Sequence, residues 1–456
     1  MRLNIIIQIN KILLLIFVNA LSIQIFSQID CREVEIINVP ENRSERNINP
    51  SISCDGQTIV WRGNDGTSNL IYRADCDGHV TLVSDQTVIN TRPQISADGS
   101  TIVWAGYTVG DNFELLGQNI YKSVNGGPQT LVSPITSTGT SINNDTPQVC
   151  ADGTKIVWRG YLGNTEHVFM NDGNQSTQIS TSASSRNSTP EISDDCSIVS
   201  WMGFDAISNS YQIFMYENGV VKNISSPNGS IKSYNQVLSA DGQVIVWIGR
   251  DQNEIDQIYM YQNDQITRIT DNMPGRHMYP SISNDGTTIS WSNYNELTST
   301  TNIYLYTPNG IVLVESYSIT APRPIFLKTS VSESGNSIVW ADPNDNIFMH
   351  SFSDNHTQTL ATGVNLFEQA LQISCNEQVV VWASYVTDYN TTINRSICAD
   401  NFCTALNEDL GAAEPIADTA IPTMGEWGLI CLSLIFLIFG IQSIRETEIS
   451  VTTARS

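Results

Sequence analysis

The stretch Pro93–Trp104, PQISADGSTIVW, decides the fold. Near copies end at Trp61 (PSISCDGQTIVW), Trp158 (PQVCADGTKIVW), Trp247 (QVLSADGQVIVW) and Trp291 (PSISNDGTTISW), and weaker ones at Trp201, Trp340 and Trp382. The gaps between these tryptophans run from 42 to 54 residues. A period in the forties with strand-like content is the mark of a propeller. The remaining tryptophan, Trp427, lies near the C-terminus, so every tryptophan in the body marks a repeat.

One unit reads strand by strand. PQIS is a short strand, and ADGS is a turn in which Gly99 tolerates positive φ. TIVW is a second strand, with Ile102 and Trp104 on one side and Val103 on the other. A strand apolar on both sides must be covered on both sides. NIYKSV and the turn-and-strand GGPQTLVS complete a four-stranded antiparallel meander. A lone meander cannot bury two apolar faces, whereas radial stacking covers both. The expectation is an all-β propeller of eight blades, or seven if a weak copy is irregular. EVEIINV, Glu33–Val39, precedes the first copy and reads like the fourth strand of a unit. It is expected to close the ring beside the last blade, with Cys31 available for a staple there.

The pattern P-x-I-S-x-D-G-x-x-I-V-W, followed by I-Y and then L-S or I-T, resembles the WD40-like (PD40) repeats of TolB-type propellers. The resemblance spans roughly residues 33–407. It implies a propeller fold, on which family members act as binding scaffolds or as the propeller domains of some peptidases. No second globular segment is available here to be a peptidase.

The chain ends read as targeting segments. Arg2 and Lys11 precede an apolar run, Ile12–Phe26, which is a secretory signal peptide pattern with cleavage near Ser27. The expected organisation is a signal helix in 1–27, the propeller in 28–407, an acidic linker in 408–420, a sorting segment in 421–445 and a short cytoplasmic tail in 446–456. The segment IPTMGEWG, with Ile421, Pro422, Thr423, Met424, Trp427 and Gly428, resembles the bacterial C-terminal sorting signals that open IPTL-x-x-WG. It continues into the apolar run Leu429–Ile444, slightly short of the usual spanning length of about 20 residues, and then Arg445. The resemblance implies a bacterial envelope protein delivered to the cell surface; a plain membrane anchor is the alternative.

Export permits disulfides. Cys54 and Cys375 occupy the same place in their repeats, seven residues before the tryptophan, and Cys150 and Cys196 lie near that place in consecutive repeats. Cys398 and Cys403 bracket ADNF, a spacing that suits a hairpin staple. Spacing alone does not fix the connectivity. The net charge of −24 repels phosphate backbones, so nucleic acid is not an expected partner.

No catalytic motif stands out. The Asp-Gly pairs recur as turn chemistry does, and Asp98, six residues before Trp104, does not fit the Asp box of sialidases, where the spacing is five. The five histidines, at 79, 167, 277, 350 and 356, share no phase in the repeat, so neither zinc nor a His-bound lyase metal is expected. No calcium loop and no G-x-S-x-G elbow is present, and no cofactor or metal is expected. One pattern is left. The connections from fourth to first strand carry Arg46, Arg92, Arg186, Lys232, Arg276 and Arg323, in a chain with only 22 Lys and Arg. The second-to-third strand loops on the same face carry Asp111, Glu114, Asp205, Asp251, Glu254, Asp256 and Glu296. Either the two sets pair and fix the loops, or the bases form a ring at the channel mouth that receives an anionic group. The expected function is non-enzymatic binding of a protein, peptide or glycan through the loop-rich face, with a membrane contact through the C-terminal helix. The alternatives are a carbohydrate-active hydrolase or lyase with its site in the channel, and a purely structural envelope protein.

Overall fold

Eight antiparallel meanders follow one another along the chain. The computed structural model describes residues 46–398, except 65–67, 86–87, 110–114, 134–142, 182–183, 226–229, 321–325 and 386–390, together with Glu35–Ile37. The segments expected as terminal helices, the linker and the sorting segment lie outside the described residues. Every regular element described is a strand. Six meanders are separate four-stranded sheets. The other two, blades 8 and 1, are joined by a single pairing of Arg46 with Thr391. The weaker copies around Trp201, Trp340 and Trp382 build complete blades, so the count is eight.

The ring is closed. Each blade's first strand touches the first strand of the next, and that of blade 8, Leu366–Ile373, touches that of blade 1, Arg46–Ile52. The fourth strand of blade 8 comes from the start of the chain: Glu35–Ile37 pairs antiparallel with Thr391–Ile397. A belt of backbone hydrogen bonds links the turns between first and second strands. Examples are Cys54 N to Ala97 O at 2.8 Å, Ala240 N to Asn284 O at 2.9 Å and, across the closure, Asn376 N to Cys54 O at 3.4 Å. Blades 7 and 8 meet instead through the Glu377 carboxylate, which accepts from Ser332 and Ser337 at 2.9 and 2.6 Å.

Burial of both faces of the second strand is what demands the ring. All eight repeat tryptophans are at most 1% exposed. Trp104 packs back onto Val60 and Ile71 of blade 1, while Val103 packs forward against Ile156 and Trp158 of blade 3. The same hand-over closes the circle, where Trp61 packs on Val379 and Val381 of blade 8. Six of the eight indoles also have a polar tether; Trp247 and Trp382 do not. The Nε1–H of Trp61, Trp104, Trp158 and Trp201 donates to an asparagine fourteen residues earlier, Asn47, Asn90, Asn144 and Asn187, at 2.8–2.9 Å. Glycine two residues after the tryptophan makes room for it: a Cβ on Gly203 would lie 2.6 Å from Asn187 Oδ1. In blade 6 His277 replaces the asparagine and accepts from Trp291 at 3.0 Å.

The Asp-Gly turns are structural. In blade 2 the Ser96 hydroxyl donates to Asp98, and the Ser100 and Thr101 amides donate to Asp98 and Ser96 at 2.9 Å. Burial works against the Asp98 carboxylate, but the donors on Ser96 and Ser100 outweigh it and hold its pKa below the ordinary value. The turn glycine has φ of 72° at Gly99 and approaches the preceding blade, with its Cβ direction toward Ser53. In blade 4 Cys196 takes the glycine position at φ 62°, and in blade 3 Cys150 takes the serine position. The close approach therefore places the two thiols together, and they form a disulfide. Cys54 and Cys375 form a second one across the ring closure, with Cα atoms 4.6 Å apart. Cys398 is also disulfide-bonded; its expected partner Cys403 lies outside the described residues.

Candidate functional site

In an antiparallel meander, the loops after strands two and four open on one face and the Asp-Gly turns on the other. On the loop-rich face, Arg46, Lys232 and Arg276 open the first strands of their blades, and Arg186 stands at the matching position, fifteen residues before its tryptophan. Arg92 lies three residues deeper, in the middle of Val88–Ile95. Arg323 lies outside the described residues, as do Asp111 and Glu114 of the acidic set.

Arg92 belongs to a second, unforeseen pattern. Twelve residues before the tryptophan, six blades carry a non-glycine residue at positive φ: Asn49, Arg92, Thr146, Thr189, Asn235 and Tyr279, with φ between 48° and 56°. Strand pairing slips at each of these points. A bulge of this kind re-aims a side chain, and on the innermost strand the exposed ones face the lumen. Lys328 of blade 7 reaches this level too, its ammonium 5.6 Å from the Tyr279 ring centre.

The bases do not form one ring with one role. Arg92 lies 3.9 Å from Asp145, which is held bidentate by Arg159. Arg276 pairs with Glu296 at 3.5 Å. Arg186 and Lys232 have no carboxylate at ion-pair distance among the described residues; both rest on aromatic rings. Arg186 lies 5.4 Å over Phe204, and Phe204 stacks edge-on with its cross-strand partner Tyr211. Lys232 lies 5.8 Å from the Tyr211 ring and 4.8 Å from that of Tyr234. The Tyr234 hydroxyl donates to Asp256, which Arg250 grips at 2.9 Å. Burial and Asp256 together push the Tyr234 phenol up, and hydrogen bonding to Asp256 raises Arg250 against its own burial. Five side chains thus form a cation–aromatic ladder across blades 4 and 5.

An apolar tip stands over the ladder. Between Phe204 and Tyr211 the turn presents Ile207 at 97% exposure, its backbone fixed by Asp205, which accepts from the Ile207 and Ser208 amides at 3.1 Å. The corresponding tip of blade 6 presents Leu297 at 89% exposure. Of the acidic set, Asp205 and Asp251 thus serve turns, since Asp251 accepts from Asn253 and Ile255, while Asp256 and Glu296 serve pairs. The aromatic rungs and the apolar tips escaped the sequence reading, which searched these loops for charge. Their signal was available: Ile207 and Leu297 both stand six residues after their tryptophans.

At the Asp-Gly end the lumen widens into a cavity of about 320 Å³, lined among others by Ser51, Gln94, Asp194, Glu333 and the Cys54–Cys375 disulfide. Burial raises Glu333 to about 7, with the nearby Asp194 charge adding to it; Asp194 is raised by burial and by Asp195. Glu191, on Gln148 at 3.3 Å, is raised by burial to about 8. The only groups with metal-ligand spacing among the described residues are built on the two disulfides, whose sulfurs are not free to coordinate. His79 lies in a turn of blade 1, and the other four histidines lie on separate strands of blades 3, 6 and 7.

Comparison with known proteins gives fold and address. Residues 419–441 match the IPTL-CTERM motif. No curated protein matches the chain by sequence. Among solved structures, the Dos1 propeller superposes with a TM-score of 0.51 at 10% identity, covering 81% of this chain and 96% of that one. An oligogalacturonate lyase in complex with manganese gives 0.50 at 10% identity, covering 82% and 96%. A prolyl endopeptidase gives 0.50 at 12% identity; this chain spans 54% of it. At these identities the likeness is one of fold.

Proposed function

We propose that this chain is an exported, surface-displayed propeller, of the TolB type by its repeats, that binds a macromolecular partner through its loop-rich face without catalysing a reaction. One observation carries the reading. In a body of net charge −24, two cations, Arg186 and Lys232, rest on aromatic rings with no carboxylate at ion-pair distance among the described residues, beside a protruding isoleucine. Aromatic and arginine side chains are those that dominate binding energies at interfaces, and loops on a rigid scaffold are where binding concentrates. The partner that fits is a segment presenting a carboxylate next to an apolar side chain, an acidic peptide or protein surface. The IPTL-CTERM match supports delivery to a bacterial surface with the C-terminal segment as anchor.

The test is binding of the full chain to arrays of acidic peptides and of glycans, followed by variants on any ligand found. Arg186→Ala with Lys232→Ala is expected to weaken binding at least tenfold, and Arg92→Ala with Arg276→Ala, which breaks internal pairs, much less. An unaffected ladder variant would remove the proposal.

A second reading rests on Glu333 and Asp194, two carboxyls lining one cavity, where Glu333, raised to about 7, would serve as the acid and Asp194 as the base of a hydrolase. A polysaccharide-cleaving activity abolished by Glu333→Gln would favour it over binding alone. It sits at the Asp-Gly end, away from the loop-rich face.

A further inference from the structure

The outer edge of blade 6 differs from every other edge described. Fourth strands are short elsewhere: Val80–Leu82, Thr130–Leu131, Ser176–Gln178, Val220–Asn223 and Gln265–Arg268, with six residues in His356–Ala361. In blade 6 the fourth strand runs nine residues, Gly310–Ser318, GIVLVESYS. Ile311, Val312 and Leu313 are 40%, 54% and 51% exposed in succession. Short edges, lysine and proline are the usual protections against strand addition, and this strand has none of them. A bulge at Val314 limits the flat part to Gly310–Leu313.

The direction of its free hydrogen-bonding groups follows from the hairpin. Thr307 pairs with Gly310 across a two-residue turn. A pair that closes such a turn exchanges both hydrogen bonds, and alternation then turns Val312 inward and leaves the N–H and C=O of Ile311 and Leu313 facing out. We propose that this edge pairs with the same edge of a second copy of the chain, antiparallel about a two-fold axis through Val312. In that register Ile311 of each copy exchanges hydrogen bonds with Leu313 of the other, and the two Val312 side chains meet in a non-hydrogen-bonded pair. The strand's one charge, Glu315, falls opposite Asn309 rather than opposite its own copy. A register centred on the charge would oppose like carboxylates, which destabilises a sheet. The segment is thus its own complement in charge, apolarity and hydrogen bonding.

The pairing covers few residues, less than the roughly 1,000 Å² of a stable soluble interface. Association is therefore weak in dilute solution and strengthens with concentration. It also strengthens with salt, because two bodies of charge −24 repel and salt screens that repulsion.

The experiment is disulfide trapping of the purified full chain in mild detergent. The described free cysteine is removed first by Cys76→Ser. Val312→Cys is then added to that parent. A non-hydrogen-bonded antiparallel pair holds its Cα atoms about 4.5 Å apart, within the range a disulfide accepts. Val220→Cys, on the exposed outer strand of blade 4 at 66% exposure, serves as the control for chance encounter and for association through the tail. The expected result is at least fivefold more covalent dimer with Val312→Cys than with Val220→Cys, rising between 20 and 500 mM salt (roughly a fivefold shorter screening length). Adding Ile311→Lys to the Val312→Cys chain should return the dimer to control level. Equal trapping at the two positions, or trapping that survives Ile311→Lys, overturns the proposal. Circular dichroism of each variant confirms that the blades remain folded.

Discussion

His277 makes blade 6 the acid-sensitive blade. It is fully buried, accepts from the Trp291 indole at 3.0 Å and stands where four other blades use asparagine. Burial, reinforced by Arg268 and only partly opposed by Met273 and Asp256, lowers its pKa from 6.5 to about 4. In the folded chain the imidazole therefore stays neutral down to about pH 4, while in the unfolded chain it protonates near 6.5. Between those values the unfolded state binds more protons, so stability falls as the pH falls. The contribution is complete above 6.5, lost between 6.5 and 4, and constant below. At 1.36 kcal/mol per pH unit the loss at pH 4 comes to about 3 kcal/mol. His277→Asn keeps an acceptor for Trp291 and removes the titration. Urea unfolding followed by tryptophan fluorescence at pH 7.5, 5.5 and 4 provides the assay. The variant should lie within about 1 kcal/mol of the parent at pH 7.5 and gain on it by about 3 kcal/mol at pH 4. A pH-independent difference between the two proteins would refute the placement of a neutral imidazole at this interface.

Two further outcomes follow from the tryptophan tether. Gly203→Ala drives a methyl to within 2.6 Å of Asn187 Oδ1 and 3.0 Å of the Phe214 ring, and should cost about 1–3 kcal/mol by urea unfolding; a neutral result would mean the asparagine is not held there. Trp247 Nε1 is buried without a hydrogen-bond partner, whereas Trp104 Nε1 has Asn90. Trp247→Phe should therefore be milder than Trp104→Phe by about 1 kcal/mol or more, since only the second strands a buried acceptor. Equal losses would contradict the difference in tethering.

Much of this architecture is written locally. The two-sided apolar strand at Ile102–Trp104, the Asp-Gly turn and the closing strand at Glu35–Ile37 each state their role through periodicity or turn chemistry, and the ring follows because two greasy faces need two neighbours. Asn90 and its counterparts were not read, although they recur, because a polar residue fourteen positions from a tryptophan has no local meaning until two strands are laid side by side. The Cys150–Cys196 disulfide was open for a similar reason: it depends on how closely a turn glycine approaches the preceding blade. The basic residues were legible as a set but not as individuals. Their partners come from other strands, so Arg276 on Glu296 and Arg186 on Phe204 look identical in sequence. The blade 6 edge was passed over because one long apolar strand among eight repeats reads as ordinary core until its neighbours are counted and found missing.

Closure of the ring is the claim on which the channel, the two faces and the outer edge all depend, and non-reducing peptide mapping of the purified chain tests it most directly. Cys54 and Cys375 are 321 residues apart in sequence and meet only if the first and last blades are neighbours. The account predicts a single disulfide-linked peptide pair containing both residues. A free thiol at Cys54, or its linkage to any other cysteine, would contradict it.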